Sequence, residues 1–165
     1  MAKYKATAYI RLSYTDDRSS ESDSVSNQRK LIENFVERNP DIEVVSYKVD
    51  DGYSGIIFDR PAFKEMMQDV TNGEINCVIV KDLSRLGRNT IDTGYYIEQY
   101  FRLRNIRFIA VNENFDTFAP EDAHSGIIIP LRNMINEAYA LDSGRKIKAQ
   151  QRQAMKDGKF IGSRT

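Results

Sequence analysis

The chain has 165 residues, 41% hydrophobic and 29% charged, which suits one globular domain with a proper core and leaves little room for two. It contains no run of eighteen apolar residues and no signal-like apolar stretch at the N-terminus, which excludes a membrane span and points to the cytoplasm. Its one cysteine, Cys77, forbids an internal disulfide and fits a reducing compartment. Formal net charge is zero, but it is unevenly spread. Residues 145–165 hold seven Lys or Arg against Asp157, a net of +6, so the preceding body carries −6. A basic tail on an acidic body suggests that a polyanion meets one end of the molecule.

In chain order, "KATAYIRL" alternates as a strand does and stops at Ser13. The polar residues 14–23 have no apolar anchor and are expected to form a mobile loop. Val25, Leu31, Ile32, Phe35 and Val36 recur at helical spacing within 24–39, and Pro40 ends that helix. "IEVVSYKV" reads as the second strand and "DDGYSG" as turn chemistry. Pro61 opens a helix that runs to about Asn72, with Gly73 as its stop. "INCVIV" is apolar enough to be covered on both faces, as in a parallel sheet. A helix over 90–104, the strand "IRFIAV" and a polar stretch over 112–125 follow. Ile127, Leu131, Met134, Ala138 and Leu141 then recur at spacings of four and three, the seam of a long helix that packs on a partner. The alternation predicts an α/β domain: a mainly parallel central sheet flanked by helices, with a long C-terminal helix.

Sites in such sheets collect where loops leave the carboxyl ends of strands. Arg11 and Ser13 end the first strand; Lys81, Ser84, Arg85 and Arg88 follow the third; Arg60 could reach the same edge. Forked guanidinium donors match the charge on the oxygens of a phosphoryl transition state. A hydroxyl among arginines, with no suitable histidine, therefore points to phosphoryl rather than acyl transfer. The chain has no Gly-rich phosphate loop, which argues against ATP or a dinucleotide. Cys77 lies inside an apolar strand and reads as core, and His124, placed in a polar loop, has no partner at metal-ligand spacing. The pairs Asp16–Asp17 and Asp50–Asp51 could hold magnesium, but adjacent loop carboxylates point differently and are usually just solvated. Among the serines, position favours Ser13, two residues from Arg11.

"AYIRLS", "SVSNQRKLIENFV", "DDGYSGIIFDRPAF" and "KDLSRLGRN", in that order, resemble the catalytic domain of the serine recombinases, most of all the large ones of transposons. The resemblance implies that Ser13 is a nucleophile that attacks a DNA phosphodiester and forms a 5′-phosphoserine link. It places Arg11, Arg85 and Arg88 around the scissile phosphate, with Arg60 and Gln28 as further active-site residues. Neither ATP, nor a metal, nor any other cofactor is expected. Double-stranded DNA is the implied partner, and the long helix implies a homodimer or homotetramer. Arg145, Lys146, Lys148 and Arg152 are expected to meet the DNA backbone. The implied organisation is a catalytic domain over 1–140, an oligomerisation and DNA-crossing helix over 127–158, and a linker over 159–165 leading to DNA-binding domains.

This sequence departs from the family pattern in two places. Ser84 stands where small resolvases commonly carry an aspartate, and Asp82, two positions earlier, is expected to point elsewhere. "ALDSGRKIK" offers only Asp142 and Arg145 for a Glu-Arg pair. The rival reading is a catalytically silent module of this family that assembles on DNA; a nucleotide-binding α/β domain is more remote, for want of a phosphate loop.

Overall fold

A computed structural model describes residues 2–12, 24–51, 60–87 and 90–158, with the side chains of Thr90 and of many positions over 121–143 left aside. Ser13, Arg88 and the loop 14–23 lie outside the described residues. β1 (Tyr4–Leu12) lies between β2 and β3 in a five-stranded sheet of order β2-β1-β3-β4-β5. β2 (Ile42–Asp51), β3 (Cys77–Val80) and β4 (Arg107–Ala110) run parallel to it in sequence-skipping order. β5 (Phe115–Asp116) is antiparallel to β4 and falls within the stretch expected to be only polar connection. Its signal was Phe115, fully buried among otherwise polar neighbours.

Burial on both faces explains the apolar strands. Tyr9, Val78, Val80 and Phe108 point to one side, under α2 (Pro61–Thr71) and the Thr90–Phe101 helical segment. Ala6, Ala8, Ile10, Cys77, Ile79 and Ile109 point to the other, under α1 (Val25–Glu37). The α1 amide of Asn27 donates to Ser24 Oγ at 3.2 Å, which makes Ser24 the N-cap of the helix. A short helix, α3 (Leu83–Leu86), follows β3 and was not foreseen; Glu113 Oε1 accepts the Leu83 amide at 3.1 Å.

The helix expected over 90–104 begins as α4 (Thr90–Tyr95) and widens into a π-helical turn, Tyr96–Phe101. There Phe101 stacks on Phe108 with centroids 5.8 Å apart, and Tyr96 meets Phe63 edge-on. α5 (Glu121–Lys156) is about 54 Å long at 1.5 Å per residue and makes its main contacts with α4 and β5. It takes in His124, which therefore sits in a helix rather than the expected loop. Among the described residues no helix is long and apolar enough to cross a membrane.

Candidate active site at the sheet's switch point

The strand order reverses between β1 and β3, so the loops leaving these two strands diverge and open a crevice at their carboxyl ends. Arg11 ends β1 and Arg85 sits in α3 just beyond β3, and the structure brings both together with Arg60, the residue before α2. All three are almost wholly buried, at 0%, 5% and 1% exposure. Period-two alternation puts Arg11 on the same sheet face as Tyr9, the face that α2 covers.

The guanidinium groups are fixed by main-chain oxygens. Arg11 Nη2 donates to the Ser84 carbonyl at 2.7 Å, and Arg11 Nε to the Arg85 carbonyl at 3.3 Å. Arg60 donates to the carbonyls of Arg85 (3.3 Å) and Leu86 (2.5 Å). Arg85 Nη1 returns a bond to the Arg11 carbonyl at 2.9 Å, and Gln28 Nε2 donates to the same oxygen at 3.2 Å. Carbonyls accept several of the donors and set their direction, but they are neutral and leave the positive charge in place. Burying such ions costs several kcal/mol each unless carboxylates or an anion compensate.

Two carboxylates supply part of that compensation, and both correct the expectations. Asp50, expected to be solvated, is 2% exposed. Its Oδ1 accepts the Ala62 amide at 2.9 Å, and its Oδ2 accepts the Phe63 amide at 3.0 Å and the Tyr9 hydroxyl at 2.8 Å. It thus caps α2 from a neighbouring strand, at the helix end where negative charge is favoured. With these three donors around it Asp50 is poorly suited to ligate magnesium, and its neighbour Asp51 is exposed. Asp82, expected to point elsewhere, accepts a hydrogen bond from Ser84 Oγ and lies 3.5 Å from Arg85 Nε. The family's carboxylate position is occupied here by a hydroxyl tied to a carboxylate.

Tyr9 completes the layer. Its ring lies 5.4 Å from the Arg60 guanidinium, and Phe63 lies 4.8 Å from it on the same side. Burial raises the Tyr9 phenol far above its ordinary value, so it remains a proton donor to Asp50. Burial also lowers the Arg60 value from its ordinary one. Tyr9 escaped the sequence reading, with its spacing of two from Arg11 as the one usable signal, whereas Asp50 and Asp82 were weighed there and given no part in the cluster.

The other named residues stand apart from this cluster. Arg145, Lys146, Lys148 and Arg152 are all exposed on the second half of α5. Cys77 is fully buried, and its thiol is pushed up to about 12, chiefly by burial. Among the described residues no three His, Cys, Asp or Glu side chains are grouped as metal ligands. Arg11, Arg60, Arg85 and Gln28 are thus brought together in one hydrogen-bonded cluster beyond the ends of β1 and β3.

Similarity to known proteins gives the family. The family model "Resolvase, N terminal domain" matches residues 6–160. A protein of Bacillus subtilis (strain 168), named as a candidate DNA recombinase, is 29% identical over 160 residues. That match covers 93% of this chain but only 30% of the relative's length. The N-terminal catalytic domain of TP901-1 integrase superposes with a TM-score of 0.70 at 27% identity, over 83% of this chain and 98% of that one. A resolvase family site-specific recombinase from Streptococcus pneumoniae shares the fold, with a TM-score of 0.65 at 24% identity, over 93% and 99% of the two chains. The chain belongs to the resolvase family, as a catalytic-type N-terminal domain of the serine recombinases.

Proposed function

We infer that the chain cuts and rejoins DNA as the catalytic domain of a site-specific recombinase. The carrying observation is the convergence of Arg11, Arg60 and Arg85 at the switch point, with Arg11 two residues before Ser13 in the chain. Ser13 Oγ attacks the phosphorus, forms the Oγ–P bond, loses its proton and releases the 3′-oxygen, which takes one up. One phosphoester bond replaces another, so religation by the 3′-hydroxyl needs no ATP. Arg11, Arg85 and Arg88 neutralise the charge that grows on the non-bridging oxygens, while Arg60 and Gln28 hold the frame. No step calls for a metal.

α5 serves assembly and DNA contact. Leu141, the last residue of the seam Ile127–Leu141, is exposed and supports packing on a second copy, and Arg145, Lys146, Lys148 and Arg152 follow the duplex backbone. Base reading belongs to other parts of a longer protein.

The test is a covalent adduct. The full-length protein on its cognate duplex should trap as a protein–5′-DNA species through Ser13, in the presence of excess chelator. Ser13→Ala should abolish the adduct and leave folding unchanged. An adduct formed by the alanine variant, or one that needs added magnesium, would refute this reading.

A further inference from the structure

On the opposite face of the sheet from Arg60, a second concave site opens beside the arginine cluster. Asn27, Lys30, Leu31 and Asn34 occupy positions i, i+3, i+4 and i+7 of α1 and so form one stripe along it. With Lys81 and Asn112, from the ends of β3 and β4, they line an open groove of about 550 Å³. The Asn112 amide donates to the Lys81 carbonyl at 2.8 Å, and the Val111 amide to the Val80 carbonyl at 3.1 Å. The two strand ends are thereby held together past the sheet, with Lys81 and Asn112 side by side.

Among the described residues the lining is two ammonium groups, three carboxamides and one leucine. The nearest acid of α1, Glu33, is engaged elsewhere, with Arg29 at 3.1 Å and Tyr47 at 3.3 Å. Lys81 is only 9% exposed, an unusual degree of burial for a lysine and one that surface solubility does not require. Ammonium and amide N–H groups around a small apolar floor suit a sugar–phosphate unit: donors for the phosphate oxygens, a methylated surface for the sugar.

The position fixes the role. Asn27 precedes Gln28, whose side chain holds the Arg11 carbonyl; Lys81 lies four residues before Arg85. A strand whose scissile phosphate lies at the arginines, on the α2 side of the sheet edge, reaches the α1 side within a few nucleotides. We propose that the Lys30–Lys81 groove binds a backbone phosphate of the same DNA, next to the cleaved one, and so fixes the register of the strand in the site. This rests on the recombinase reading above.

The experiment reads binding rather than cleavage, so that the two can fail separately. In the full-length protein, Lys30→Gln and the double variant Lys30→Gln/Lys81→Gln are measured on the cognate duplex over a salt series. They are also measured on duplexes carrying one neutral methylphosphonate at each position flanking the cut. Each lost contact should reduce the slope of log affinity against log salt by about 0.9, so over a roughly fourfold rise in salt Lys30→Gln should lose about 3.5-fold less affinity than the parent. One methylphosphonate position should weaken the parent and leave the double variant unaffected. Lys30 is exposed, so the single variant remains informative if the double variant folds poorly. An unchanged salt slope, or equal methylphosphonate sensitivity in parent and variants, would overturn the proposal even if the Ser13 adduct forms.

Discussion

Asp50→Asn should reveal how much of the site's rigidity depends on one carboxylate. The native group accepts three hydrogen bonds, two from the first turn of α2 and one from the Tyr9 hydroxyl, while fully desolvated. An asparagine of the same shape retains one carbonyl oxygen and turns an NH₂ toward a donor. At least one buried bond to a charged acceptor is lost, about 1.5–3 kcal/mol, and one amide N–H is left unsatisfied. The helix-terminus attraction also disappears, roughly 0.5–1 kcal/mol. The expected loss is about 2–4 kcal/mol, which at this chain length lowers Tm by roughly 4–16 °C. Tyr9→Phe removes one donor to that charged acceptor and should cost about 1.5 kcal/mol. Denaturant unfolding of both singles and the double gives the coupling, expected near 1 kcal/mol because the two share a bond. A loss below about 0.5 kcal/mol for Asp50→Asn, or strict additivity in the cycle, would refute the idea that Asp50 anchors α2 and, through it, Arg60.

Arg11→Lys and Arg88→Lys should each lose most cleavage, since an ammonium cannot reproduce a forked contact; near-parental rates for both would mean that they only steer DNA. The Tyr9 phenol is raised in the folded state, so its contribution to stability is complete below the ordinary value of 10.0 and declines as pH rises beyond it. Alkaline unfolding should therefore be shallower above that pH for Tyr9→Phe, and identical curves would contradict the assignment. Cys77, buried with its thiol raised to about 12, should resist a thiol reagent in the native protein and react at the rate of unfolding. Fast labelling of the folded chain would show that the sheet opens locally.

The sheet was legible because its strands carry the pattern that burial demands. "INCVIV" is apolar throughout because both its faces are covered, and Ser24 and Pro61 mark helix starts where the backbone requires them. The short elements were not legible. α3 is a single turn, and its start is held by Glu113, a residue thirty positions away. β5 is two residues whose pairing with β4 is reinforced by Arg107, bonded to Asp116 at 2.6 Å.

Asp50 was misread for a related reason: local composition says "turn", while its partners come from β1 and α2. The arginines themselves were found by their place at strand ends. That they grip the carbonyls of α3 depends on geometry that no local pattern encodes.

Arg85 shows why that geometry matters. Its carbonyl accepts Arg11 and Arg60, while its own guanidinium donates to the Arg11 carbonyl. Side chain and main chain thus perform separate tasks, and Arg85→Ala separates them. The substitution leaves the carbonyl in place, so Arg11 and Arg60 keep an acceptor. The Arg11 carbonyl retains Gln28, and Asp82 retains the Ser84 hydroxyl. The fold should survive with a loss of roughly 1–3 kcal/mol, and cleavage should fall steeply. Because the Arg11 carbonyl and the Asp82 carboxylate that the side chain met both stay in place, free guanidinium at low millimolar concentration should enter the vacated space and restore part of the cleavage. Ammonium should not, for it lacks the planar fork. Equal rescue by ammonium would reduce Arg85 to a source of positive charge, and a variant that unfolds would show that its side chain is what ties α3 to β1.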